Sequence, residues 1–197
     1  MVQIDRNGLR ATLLNEVCSA WEVLHQAHPR ESFYSFGIYT TELVDYLMVT
    51  ASTEEGLSAV TAKYWSNNGG DPALHRSSLR WSPCDSPLHV EGQGLLARSE
   101  AIRRQGPDPY EDSPESDEAV SMVFDLAVEI LRDLDSEGLF GSDFGRSRLV
   151  LCVWKGDQSN EERVGYARAL NPKAVATRFA TELDDGNRAF VALSKTS

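Results

Sequence analysis

Glu54 and Glu55 stand side by side where a helical pattern begins, and paired carboxylates are a common device for proton transfer. Neighbours on a helix diverge by about 100°, however, so the two cannot both point into one cleft. Glu55 has a structural use. In Ser52-Thr53-Glu54-Glu55 the Ser52 hydroxyl would accept from the Glu55 amide while the Glu55 carboxylate reaches back, which is a capping box. Glu54 has no such use and is the candidate functional acid. Arg80-Trp81 is the second candidate: a guanidinium can hold a carboxylate or phosphate while an indole stacks beside it. The competing structural role pairs Arg80 with a helix acid and lays Trp81 over the edge of the core. Asp157 is the third. It follows an apolar strand pattern, and ligands of open α/β sheets gather at the carboxyl ends of strands. It could equally cap the helix that starts two residues later.

Other chemistry has weaker support. His75, Cys84 and His89 share one stretch, but their spacing matches no standard zinc site and no fourth ligand is evident, so no metal is expected. His25 and His28 read as surface groups or helix-end cations. Asp143-Phe144-Gly145 spells a kinase triplet without the other kinase motifs. No nucleophile elbow, phosphate-binding loop or dinucleotide fingerprint occurs, and no cofactor is expected.

The elements that must position these residues follow from periodicity. Leu9, Leu13, Val17, Trp21 and Leu24 lie on one face of a helix over residues 8–28, with Asn7 as its cap and Pro29 beyond its end. Phe33–Thr40 and Tyr46–Ala51 read as strands. Their short link favours an antiparallel hairpin, because a parallel return needs about a dozen residues. Helices follow over residues 52–66 and 95–104. Leu74–Trp81 reads as a short strand and Cys84–Gln93 as irregular. A loop over residues 107–118 has three prolines, six acidic residues and no basic one. Val120, Val123, Phe124, Ala127, Leu131 and Leu134 mark a helix over residues 118–135. Arg148–Trp154 is apolar at successive positions, so it is expected to be buried on both faces and central in the sheet. A second capping box, Ser159 with Glu162, opens a helix to about Leu170. Val175, Ala176, Phe179 and Leu183 give the last helix its apolar face, Asp184–Asn187 reads as a turn, and Ala189–Leu193 as a terminal strand. The expectation is one α/β domain over residues 1–197, α+β-like, with a mixed or largely antiparallel sheet of four to five strands packed by about five helices.

The net charge of −11 would repel a phosphate backbone and an anionic membrane surface, so neither nucleic acid nor a membrane is an expected partner. A basic protein would be steered in by the same field. Three cysteines without paired spacing fit a reducing compartment, and residues 1–10 show no signal-peptide pattern, so a cytoplasmic location is expected.

Several motifs together resemble a bacterial family catalogued as domain of unknown function family 4303. They are Phe33-Tyr34-Ser35-Phe36 with Tyr39-Thr40, Ser52-Thr53-Glu54-Glu55-Gly56-Leu57, Tyr64 before Arg80-Trp81-Ser82-Pro83, Leu149-Val150-Leu151 leading to Asp157, and Leu170-Asn171-Pro172. The chain departs from the family pattern at Ser52, where asparagine is expected, and at Pro87-Leu88, where a second tryptophan is expected. The resemblance implies a bacterial, cytosolic α/β protein and supplies no activity or catalytic residue. The functional expectation is a non-enzymatic protein-interaction module, in the manner of an immunity or accessory factor of a toxin system. The alternative is an enzyme or small-ligand binder with a pocket near Glu54, Arg80 and Asp157.

Overall fold

The fold is built around β1 (Phe33–Thr40), whose eight residues are buried or nearly so along their whole length. In this computed structural model, which describes residues 4–195 without the side chain of Asp143, β1 pairs antiparallel with β2 (Leu47–Thr53) and parallel with β3 (Val150–Lys155). The expected hairpin is present. The reading of residues 1–10 as free of a leader falls in part outside the described residues.

Helices cover both faces of the sheet. On one face Phe36, Ile38, Val49, Leu151 and Val153 meet α1 (Arg6–Ala27) and α6 (Pro114–Ser136). On the other, Met48, Val150, Cys152 and Trp154 meet α2 (Glu54–Asn68), α3 (Pro72–Leu79), α8 (Asn160–Leu170) and α9 (Lys173–Ser194). The short helices α4 (Pro87–Glu91), α5 (Ala97–Arg103) and α7 (Asp143–Arg146) fill the connections. The acidic stretch keeps its loop character only to Ser113; Pro114–Glu118 belong to the first turns of α6, with Ser113 as the cap.

The strand count differs from expectation: among the described residues the sheet has three strands, and nine α-helices surround it. Leu74–Trp81 falls largely in α3, not in a strand. Asp71 Oδ1 accepts from the Ala73 amide at 2.8 Å and Pro72 occupies the first turn, a strong helix start. Ala189–Leu193 lies inside α9, which runs straight through Asp184–Asn187. The glycine there serves close packing, because a Cβ on Gly186 would come 2.9 Å from the Ser77 carbonyl oxygen of α3. The α1 cap is Asp5, not Asn7. The first capping box is also displaced. Strand β2 continues to pair Thr53 with Phe33, so Ser52 belongs to the strand and the Thr53 hydroxyl caps α2 by accepting from Gly56 N at 3.0 Å. The second box, Ser159 with Glu162, stands as expected.

Strand β3 is buried on both faces but lies at an edge of the sheet, not at its centre. Side chains take the place of a further strand. Asn171 Nδ2 donates to Leu151 O at 2.7 Å, Asn171 Oδ1 accepts from Leu151 N at 2.8 Å, and Gln158 Nε2 donates to Val153 O at 3.1 Å. The β2 edge is covered by α4 and its approach, where Ser86 Oγ donates to Ala51 O at 2.6 Å.

One hinge of the packing is charged. His28, at the end of α1, places Nδ1 2.9 Å from a Glu31 carboxylate oxygen and Nε2 2.8 Å from one of Glu91. Only imidazolium offers both nitrogens as donors, and the hydrogen bonds to Glu91 and then Glu31 raise the His28 pKa above its ordinary value. The stabilisation is therefore complete below the unfolded value of about 6.5 and is lost as pH rises through the higher folded value. Wild type should exceed His28→Gln in Tm most near about pH 5.5, with the gap closing towards about pH 9. A gap that grows with pH would rule the clamp out.

Candidate functional site

At the end of the sheet where β1 and β3 begin, an irregularity in the β1–β2 register sets the geometry. Phe33 pairs with Thr53 and Ser35 with Ser52, so Tyr34 is an extra residue in β1. Such a bulge re-aims a side chain. Phe33 and Phe36 face α1, whereas Tyr34 turns to the α9 side.

The Tyr34 ring carries the Arg80 guanidinium 4.4 Å from its centroid, and its hydroxyl donates to Arg80 O at 2.6 Å. Burial pushes the Tyr34 hydroxyl up to about 12, which keeps it a donor at all ordinary pH. Arg80 Nη2 donates to Glu54 Oε1 at 2.7 Å, Nη1 to Glu54 Oε2 at 3.1 Å, and Nε to Glu182 Oε2 at 2.9 Å. Arg76 also donates to Glu54. Burial alone would raise the Glu54 carboxyl, but the hydrogen bonds and charges of Arg80 and Arg76 outweigh it and hold the pKa below its ordinary value. Trp81 is buried edge-on between Tyr34, 5.2 Å away, and Phe179, 4.8 Å away. Its indole Nε1 has no hydrogen-bond partner among the described residues.

Glu54 and Arg80-Trp81, singled out in the sequence, are thus brought together. Their roles match the structural alternative: Arg80 pairs with two helix acids, and Trp81 packs within the core. Glu55 does not close a capping box. Its carboxylate accepts from Ser32 N at 2.7 Å and from Ser32 Oγ at 3.3 Å, fixing the start of β1.

Asp157 is elsewhere. Gly156 N donates to Thr40 O at 3.2 Å, so the turn carrying Asp157 sits at the far end of β1, about 23 Å from Phe33 at the usual strand rise. Asp157 takes a left-handed backbone with φ 53° and does not cap α8, a role held by Ser159. The three residues do not converge on one pocket. His75, Cys84 and His89 are also divided: His75 Nε2 contacts Gly69 O at 2.7 Å, whereas Cys84 Sγ donates to Tyr39 Oη at 3.4 Å and His89 Nδ1 lies 3.1 Å from Thr50 Oγ1. Among the described residues no group of three or more His, Cys, Asp or Glu is placed to hold a metal ion.

Beside the Glu54–Arg80 pair opens a cleft of about 180 Å³, bounded by Tyr34, Glu54, Arg80, Arg148, Arg178 and Glu182. The sequence reading missed Arg76, Arg148, Arg178 and Glu182. Once α3 is a helix, Arg76 and Arg80 follow as an i, i+4 pair on one face, and Arg178 and Glu182 are the same pair on α9. Arg148 had no such signal.

The family model described as Domain of unknown function (DUF4303) matches residues 13–172. The chain belongs to DUF4303. No curated protein and no solved structure matches it. Three motifs that carry the DUF4303 resemblance, the Phe33 strand, the Thr53-Glu54-Glu55-Gly56 helix start and Arg80-Trp81-Ser82-Pro83, meet at the Tyr34–Arg80 contact. A fourth, Leu170-Asn171-Pro172, supplies the asparagine that closes the β3 edge. Arg178 and Glu182 of the cleft lie beyond the matched residues.

Proposed function

We propose that the protein is a non-enzymatic interaction module that takes a basic protein partner on its acidic end. The observation that carries this reading is where the acids gather. Asp108, Glu111, Asp112, Glu115, Asp117 and Glu118 are all exposed. Tyr110 Oη donates to Asp45 Oδ2 at 2.7 Å and so ties this segment to the β1–β2 turn. Glu42 and Asp157 occupy the same end of the sheet, and Glu42 is paired to Lys155 at 2.9 Å. A field of one sign speeds encounter with an oppositely charged protein and is screened by salt. Within this reading the narrower role is that of a bacterial, cytoplasmic immunity or accessory factor whose partner is a toxin. Its support is associational: a small acidic domain, a family without an assigned activity, and no catalytic motif. No described helix is long and apolar enough to cross a membrane. The alternative, a catalytic or ligand pocket around Glu54, Arg80 and Asp157, draws no support from the positions of the three.

The test is pull-down from the native host with wild type and with a variant whose six acids at 108, 111, 112, 115, 117 and 118 are changed to their amides. A basic protein should be retained by wild type at about 0.05 M salt, released at about 0.5 M, and not retained by the variant. Failure of wild type to retain any protein that the variant does not would remove the basis of the proposal.

A further inference from the structure

The cleft at the opposite end of the sheet gathers arginines. Three guanidiniums, Arg80, Arg148 and Arg178, and two carboxylates, Glu54 and Glu182, line the cleft there. That is a surplus of one positive charge among the lining side chains of a protein whose net charge is −11. The carboxylates are already shared: Glu54 serves Arg76 and Arg80, and Glu182 serves Arg80 and, at 3.8 Å, Arg178.

The cations are not equivalent. Arg80 has all three guanidinium nitrogens engaged with carboxylates. Arg178 is fixed by its own donors, Nη1 to Ser147 O at 2.8 Å and Nη2 to Arg148 O at 2.9 Å. Those bonds hold the segment leading into β3, the segment that bears Arg148. Arg148 lines the cleft and makes no ion pair or side-chain hydrogen bond among the described residues; its guanidinium rests 5.1 Å over the Phe144 ring. A ring under one face orients the planar group and leaves its donor edge free. The cleft volume of about 180 Å³ is below that of ordinary drug-sized ligand pockets, so its occupant is small.

We propose that this cleft is a binding site for a compact anion, a phosphate or carboxylate group, with Arg148 as its direct contact and Arg80 and Arg178 as fixed positive charges behind it. Guanidinium donors match both groups geometrically, and partial enclosure strengthens the attraction relative to open water. The proposal is independent of the basic partner, which concerns the other end of the sheet.

Calorimetric titration of the purified chain with sodium phosphate and, separately, sodium acetate, at ionic strength held constant with chloride, tests it. At least one anion should saturate. Saturation by phosphate alone identifies a phosphate site, by acetate alone a carboxylate site, and by both a site for either group. Arg148→Ala should weaken binding roughly tenfold, equivalent to about 1.4 kcal/mol. Glu182→Gln removes a competing negative charge and should tighten binding several-fold, a gain that general loss of structure would not produce. Arg104→Ala, at the residue that follows α5 and outside the cleft lining, should bind as wild type. The proposal is overturned if neither anion saturates, if Arg148→Ala binds as tightly as wild type, or if Glu182→Gln brings no gain.

Discussion

Arg80→Ala is expected to lower stability by roughly 2–3 kcal/mol, read as a fall in the urea midpoint with an unchanged slope. The Arg80 side chain is 22% exposed, against 36% for Glu54 and 29% for Glu182, so the network is only partly screened by solvent. Removing it leaves Glu54 with Arg76 alone and Glu182 with only the 3.8 Å contact to Arg178. It also strips the cation from beside Tyr34 and Trp81, where the guanidinium lies 4.4 Å and 5.4 Å from the two rings. Arg80→Lys should recover only part of the loss. An ammonium cannot serve two carboxylates in one plane while stacking on an aromatic face. A loss below about 0.5 kcal/mol would mean that the network behaves as an exposed pair, and the cleft would then lack a rigid wall.

Gly37→Ala should be more damaging still, about 4 kcal/mol or more, with soluble folded protein largely lost. Gly37 lies mid-way along β1, opposite Cys152 of β3. A Cβ there would come 1.8 Å from the Cys152 carbonyl oxygen, a backbone atom that no rotamer change can move, and 3.2 Å from the Trp154 ring. Strands β1 and β3 would have to part. As a comparison, Gly165→Ala on α8 has nothing within 4 Å of the new methyl and should be stabilising or neutral by circular-dichroism melting. Wild-type melting of Gly37→Ala would show that the β1–β3 contact is looser than described.

How much of this was legible differs by element. The β1–β2 hairpin, the apolar stripe of α6 and the Ser159–Glu162 box follow from local pattern, and tertiary packing agrees with each. The errors have a common cause. Where a third body covers a segment, burial loses its link to secondary structure. Strand β3 reads as central because both its faces are apolar, yet helices supply that cover and Asn171 stands in for the missing neighbour. Asp184–Asn187 reads as a turn because its composition is that of turns; contact with α3 at Gly186 overrides that preference. For α3 the signal was present in Asp71-Pro72, and reading it would have joined Arg76 to Arg80. Glu54 and Arg80 were found as isolated residues of suggestive type. That they contact each other is a long-range fact, since 26 positions separate them.

Closure of the sheet on both borders has a consequence for how anything can bind this protein. Extended peptides commonly dock by adding themselves to an open sheet, using main-chain hydrogen bonds that care little about sequence. Here Asn171 and Gln158 occupy that rail along β3, and Ser86 with α4 occupies it along β2. Among the described residues, these contacts cover both edges against pairing by an incoming chain or a second copy. A partner of the kind proposed would then be read by side chains on helices and loops, where a single changed residue can decide between one partner and another.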